Sequence, residues 1–182
     1  AKRKEARKVM LNVASKLLGQ QFADDTIIVS TGGRYEFRNK GIDILLESLK
    51  RLAAEPTLDR DVLAFINVPA WVKGPRVDLV ERLQMKDESN SQLSTFNSQL
   101  STPVITHELY NMDDDKALSM MRAIGLNNDP SSRVKVIFVP CYLNGNDGIF
   151  NMPYYDLLPG DDLAVYPSYY EPWGYTPLES VA

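Results

Sequence analysis

Four short apolar, β-branched runs, each cut off by glycine or proline, constrain this chain more than any other feature. Thr26–Ser30 is closed by Thr31-Gly32-Gly33, and Val62–Val68 by Pro69. Val134–Val139 is closed by Pro140, and Leu163–Tyr166 by Pro167. Such runs read as strands buried on both faces. Helical periodicity fills the gaps between them. Lys2 to Leu18 repeats Ala6, Val9, Met10, Val13 and Leu17, with Gly19 as a stop, although its basic first turn opposes the helix dipole. Ile42 to Ala53 turns Ile42, Leu45, Leu46, Leu49 and Leu52 inward. Val77 to Met85 and Asp114 to Ile124 follow, the second stopped by Gly125. Val104–Ile105 starts a short strand, Tyr154 to Leu158 is a turn or two of helix, and a last helix begins at Thr176. Strand and helix in alternation imply β-α-β units: an α/β fold, a parallel sheet sandwiched by helices. Ligands of such sheets sit beyond the carboxyl ends of the strands. The loops at 31–41, 69–76, 140–153 and 167–175 therefore carry the functional weight.

Composition narrows the function classes. The 182 residues hold 20 basic and 24 acidic side chains, a net charge of −4, so nucleic acid is not the expected partner. No run of 18 apolar residues and no signal-peptide core exist, so no membrane partner is expected. Cys141 is the only cysteine, which points to a reducing, cytoplasmic setting. His107 is the only histidine, so no metal site is expected. Ser89–Thr102 repeats a seven-residue Ser/Asn/Gln/Thr unit in tandem and reads as a mobile, low-complexity loop at 87–103.

Neither the dinucleotide glycine fingerprint nor the phosphate-binding loop motif of nucleotide hydrolases is present. The loop TGGRYEFRNKG instead offers Gly33 for close backbone approach, with Arg34 and Lys40 as cations for a diphosphate. A solvated turn with Arg34 paired to Glu36 accounts for the same residues. In YYEPWGYTPLE, Thr176 suits an N-cap, Pro177 the first helical position, and Glu179 a capping box. The free N–H groups at Tyr175 and Thr176, reached past Gly174, suit phosphate. Glu171 suits sugar hydroxyls. Glu179 can equally be only a cap, Glu171 a surface carboxylate and Trp173 a core residue. A glycosidase pair of Glu171 and Glu179 is a further alternative.

GRYEFRNKG at 33–41 and PSYYEPWGYTPLES at 167–180 closely resemble the eukaryotic-type glycogen synthases. RVKVIFVPCYL at 133–143 resembles the family's RVKVIFHPEFL, and VITHELYN at 104–111 its THNM segment. The resemblance implies a retaining glycosyltransferase of the two-domain GT-B fold, this chain being an incomplete Rossmann-like part of its C-terminal domain. It implies glucose transfer from UDP-glucose, or ADP-glucose, to glycogen or another α-glucan, with no cofactor and no metal. By motif, Arg34 and Lys40 neutralise the diphosphate, Glu171 holds the glucose, and Glu179 binds the ribose. Gly33, Trp173, Gly174, Tyr175 and Thr176 belong to the donor site. Tyr154 takes the place of the base-stacking tyrosine, with Tyr155 as the alternative. Family members associate through a helical insertion that is much shorter here between Trp71 and Val104, which leaves a homo-oligomer open. The family's acceptor domain would precede residue 1, so residues 1–182 alone are expected to be inactive. A non-catalytic nucleotide-sugar binding or interaction module is the competing expectation.

Overall fold

The computed structural model describes residues 1–85 and 100–181. Helix α1 (Lys2–Leu18) precedes β1 (Ile27–Gly32), α2 (Ile42–Ala53) and β2 (Val62–Asn67). Then come β3 (Val72–Pro75), α3 (Val77–Gln84), β4 (His107–Leu109), α4 (Lys116–Ile124) and β5 (Val134–Val139). The chain closes with α5 (Tyr154–Leu157), a 3-10 turn (Leu158–Gly160), β6 (Leu163–Ala164) and α6 (Tyr175–Val181).

Four strands form one sheet in the order β5-β2-β1-β6, and every neighbouring pair is parallel. The chain steps from β1 to β2 to β5 in one direction, then returns to place β6 on the other side of β1. This is half of a doubly wound, Rossmann-like sheet, and its direction reverses between β1 and β6. The strand register divides the core by alternation. Val62, Ala64 and Ile66 pack with Leu45, Leu46 and Leu118 on one face. Leu63 and Phe65 pack with Val13, Leu17 and Leu79 on the other. Buried on both faces, β1, β2 and β5 carry the continuous apolar runs seen in the sequence, whereas β6, at the sheet edge, leaves Leu163 exposed.

Several expected boundaries move. β1 runs on through Thr31 and Gly32, and β6 stops at Ala164 rather than Tyr166. The strand expected at Val104–Ile105 is a single bridge from Ile105 to Phe138. Residues 72–75, read as loop, pair antiparallel with β4 as a ribbon outside the main sheet. Of the loop expected at 87–103, positions up to 99 lie outside the described residues. At its described end Arg76 Nη1 donates to the Thr102 carbonyl at 2.8 Å, and the Leu100 N–H to the Leu17 carbonyl at 3.2 Å.

The basic first turn of α1 has a structural reason. Arg7 Nη1 lies 2.8 Å from Asp162 Oδ2, and Arg3 reaches the other oxygen of the same carboxylate. Asp162 Oδ2 also accepts the Ile28 N–H at 2.8 Å, so the carboxylate ties α1 to the edge of β1. Burial opposes ionisation of Asp162, but the Ile28 N–H and Arg7 outweigh it and hold the carboxyl below its usual range. Its neighbour Asp161 behaves oppositely. Burial pushes Asp161 up to about 7, against the hydrogen bond donated by Ser30 Oγ. A folded-state pKa above the unfolded one means that the folded chain binds more protons between about pH 4 and 7. This group's contribution to stability is therefore lost as pH rises through that window. Asp161→Asn is expected to flatten the dependence, gaining on the order of 2 kcal/mol at pH 8 relative to pH 5. Urea midpoints of both proteins at the two pH values check this.

Candidate functional site

A cleft of about 440 Å³ opens at the carboxyl ends of β1, β2 and β5. Gly33, Arg34, Asn67, Tyr154, Thr176 and Glu179 are among the residues of its wall. A hollow of about 690 Å³ lies elsewhere, against α2 and α4, and its wall includes none of the predicted site residues. The strand-end cleft is the candidate site, because a parallel sheet binds its ligands beyond the carboxyl ends of its strands and residues of both sequence motifs line this wall.

The loop from Gly33 to Gly41 is rigidly built. Gly33 has φ 130°, a conformation suited to glycine. Asn39 Nδ2 donates to Glu36 Oε2 at 2.7 Å, and the Lys40 N–H to the Glu36 carbonyl at 2.8 Å. Tyr35 pins the loop to the start of α4. Its hydroxyl donates to Asp115 Oδ2 at 2.8 Å and accepts the Ala117 N–H at 3.0 Å. Burial raises this phenol well above its usual pKa, so it stays protonated as a donor. Tyr35→Phe removes both bonds and strands two polar groups. Its expected cost is about 1–3 kcal/mol, read as a lower melting temperature.

The second motif folds onto this loop. The Tyr169 N–H donates to the Asn39 carbonyl at 3.0 Å. Lys40 Nζ then forms a short ion pair with Glu171, whose Oε2 also accepts from Ser168 Oγ at 3.3 Å. Lys40 is the main cause holding Glu171 below the usual carboxylate range, so Glu171 is ionised and a poor proton donor at neutral pH. Gly33 and Gly174, both at positive φ, stand in van der Waals reach of these groups. A Cβ on Gly33 would meet the Lys40 side chain and Thr176 Oγ1, each at 3.9 Å, and a Cβ on Gly174 would meet Glu171 Cγ at 3.6 Å.

The structure thus brings Gly33, Lys40, Glu171, Gly174 and Thr176 together and places Arg34, Tyr154 and Glu179 on the cleft wall. Arg34 lies 3.2 Å from Glu36, the pair that the solvated-turn reading expects, and its side chain is 80% exposed. Exposure leaves that pair cheap to exchange for another anion. α6 starts at Tyr175, so Thr176 lies inside its first turn and is not the expected N-cap. Glu179 instead faces Tyr155 and raises that phenol's pKa. Tyr154 turns its hydroxyl toward Gly32 and Tyr166, 3.5 Å from the latter. Trp173 and Tyr175 are 79% and 69% exposed and stand outside the cleft wall; Trp173 is not a core residue. Asn67 and Cys141 are also on the wall; Cys141 lies in the loop at 140–153 that strand order singled out, whereas Asn67, inside β2, carries no local motif. Only strand order brings Asn67 in. Burial pushes the Cys141 thiol up to about 12, so it is no nucleophile at neutral pH.

A half doubly wound sheet with a glycine-lined cleft, cations and carboxylates at its switch point defines a Rossmann-like ligand-binding domain. Residues 19–88 and 78–182 match the family described as glycogen synthase, and the chain belongs to that family. It is 33% identical over 86% of its length to the glycogen [starch] synthase of Neurospora crassa, covering 29% of that protein. The human liver glycogen [starch] synthase is likewise 33% identical over 86% of the chain, 28% of that protein being covered. Isoform 1 of Saccharomyces cerevisiae is 32% identical, with 86% and 29% covered. The chain thus spans under a third of the length of these relatives. Glycogen synthases are glycosyltransferases. Among the described residues, no helix is long and apolar enough to cross a membrane.

Proposed function

We propose that this chain is the donor-binding part of a retaining glycogen synthase of GT-B architecture that takes glucose from UDP-glucose to an α-1,4-glucan. One observation carries the reading: the loops of the two sequence motifs join through Lys40 and Glu171 beside the cleft at the sheet's switch point. In this reading Lys40 and Arg34 meet the diphosphate. Negative charge grows on the leaving oxygen as the glucosyl bond breaks, and fixed cations stabilise it more than the ground state. Glu171, kept ionised by Lys40, accepts hydrogen bonds from glucose hydroxyls. Glu179 does the same for the ribose. The backbone of Gly33 and of Gly174–Thr176 approaches the phosphates without a side chain in the way. Tyr154 or Tyr155 supports the base, and the exposed Trp173 and Tyr175 border the donor. The acceptor glucan is held by a second domain of the intact protein. Cys141, buried and unpaired, suits a cytoplasmic enzyme.

Calorimetry with UDP, ADP and UDP-glucose tests the donor site, and glucosyl transfer to glycogen by the intact protein tests the activity. UDP binding without transfer would favour a non-catalytic module; no binding at millimolar nucleotide would overturn the donor site. Glu179→Ala is expected to weaken UDP binding about tenfold, the loss of one charge-assisted hydrogen bond, with an unchanged melting temperature.

A further inference from the structure

The ribbon of β3 and β4 carries a surface that neither the core nor the cleft uses. Its inner side is apolar: Val72 and Leu109 pack into the core layer that holds Leu45, Leu46 and Leu118. Lys73 and Glu108 alternate with them and are exposed. Trp71 and Tyr110 flank the two strands and extend the outer side. The Tyr110 N–H donates to the Trp71 carbonyl at 3.0 Å, which sets the two aromatic residues opposite each other. Their ring centres lie 4.9 Å apart, with the planes 32° from parallel. Lys73 Nζ lies 5.6 Å from the centre of the Tyr110 ring.

Trp71 is 68% exposed and Tyr110 57%. A cross-strand ring pair contributes about 0.2–1 kcal/mol to a ribbon, but an indole left mostly in water adds little by burial. The groups around the rings narrow what could cover them. Lys73 and Glu108 bring opposite charges, so this face does not favour a polyanion. Two rings offer far less than the roughly 800 Å² that each partner gives to a stable protein interface. A pyranose fits both limits. Its C–H face packs on the electron-rich face of an aromatic ring, while its hydroxyls find a donor in Lys73 and an acceptor in Glu108. Both charged residues also stand on the wall of a hollow of about 570 Å³ between the ribbon and α3, so polar surface continues past the rings. Position points the same way. Pro69 lines the strand-end cleft, and the two residues from there to Trp71 span about 7 Å at most.

We propose that Trp71 and Tyr110, with Lys73 and Glu108, form a binding face for an α-1,4-glucan beside the cleft. Trp71 is the stacking platform, Tyr110 holds the indole upright, and the two charged residues hydrogen-bond the hydroxyl rim. No bond is made or broken there. A polymer seated on this face is tethered beside the cleft, which raises its effective concentration there. The inference rests on the proposed reading of the protein as a glucan-extending enzyme, but on none of the residues assigned to the donor.

The probe is maltoheptaose, added to the intact protein. Hydroxyl-radical footprinting, read by peptide mass spectrometry, should find Trp71 and Tyr110 reactive in the free protein and protected by the sugar. Trp71→Ala should weaken retention on glycogen in affinity electrophoresis by about threefold or more, with UDP affinity unchanged, and Trp71→Phe should recover part of the loss. Trp71 equally reactive with and without maltoheptaose overturns the proposal, whether or not the variants fold. So does a Trp71 already shielded in the free intact protein, since another part of the molecule then covers it. Protection of Trp71 in a protein that binds no UDP would remove the donor site and leave this face standing.

Discussion

Lys40→Ala in the intact protein is expected to lower the rate of glucosyl transfer at saturating donor by about 100-fold or more, the scale of removing one fixed stabiliser of developing negative charge. The side chain has two neighbours to serve. It pairs with Glu171 and packs within 3.9 Å of the position that a Gly33 Cβ would occupy, so its ammonium is held at the junction of both motif loops. A cation so placed is little reorganised when charge grows on the leaving diphosphate, and the loss should therefore fall on kcat more than on KM. Stability should change little. The Lys40 and Glu171 side chains keep 14% and 30% of their exposure, so the carboxylate left behind still reaches solvent. Lys40→Arg keeps the charge and should recover part of the rate; Glu171→Gln separates loss of the cation from loss of the pair. Transfer by folded Lys40→Ala within a few-fold of the parent would remove Lys40 from the chemistry.

Strand identity was legible because both faces of the central sheet are buried. Val62, Ala64 and Ile66 serve one layer while Leu63 and Phe65 serve the other, which leaves an uninterrupted apolar run in the sequence. The ribbon of β3 and β4 was not legible. Its burial alternates in Val72–Pro75, it contains glycine and proline, and its partner lies more than thirty residues away. The end of β1 was misread for a related reason. Gly32 reads locally as a turn residue, yet it stays in the ladder opposite Asn67, where a Cβ would meet the Tyr154 hydroxyl at 2.7 Å. The two motif loops could be named from their residue types, but their joining is a product of strand order. β1 is followed by the Lys40 loop and β6 by the Glu171 loop, and β6 lies next to β1 only because the sheet reverses there. The same reversal of viewpoint applies to His107, Cys141 and Asp147. His107 is far from the other two in the sequence, and only folding shows the three as neighbours.

The contact most sensitive to substitution is backbone against backbone. Gly41, with φ 66° and ψ 27°, caps α2 in the left-handed region, and a Cβ there would lie 2.0 Å from the Pro167 carbonyl oxygen and 2.6 Å from its carbon. Gly41→Ala meets two costs. The left-handed conformation costs an alanine roughly 1–2 kcal/mol, and the overlap cannot be relieved by rotating a side chain because the obstacle is main chain. Either α2 loses its first turn or the segment from Pro167 to Glu171 lifts off the Lys40 loop. The expected loss is at least about 3 kcal/mol, a drop of about 6 °C or more for a domain of this size. Gly74→Ala is the control, since nothing lies within 4 Å of its added Cβ and its φ is not positive. Gly33→Ala is the intermediate case, strained at φ 130° but with its nearest neighbours at 3.9 Å. The melting temperatures should therefore rank Gly74→Ala above Gly33→Ala above Gly41→Ala. In the last variant UDP affinity should fall as well, because the contact that is broken is the one that seats the Glu171 loop. Gly41→Ala melting with Gly74→Ala would show that the two loops do not touch at Pro167, and the shared site built on that contact would fall with it.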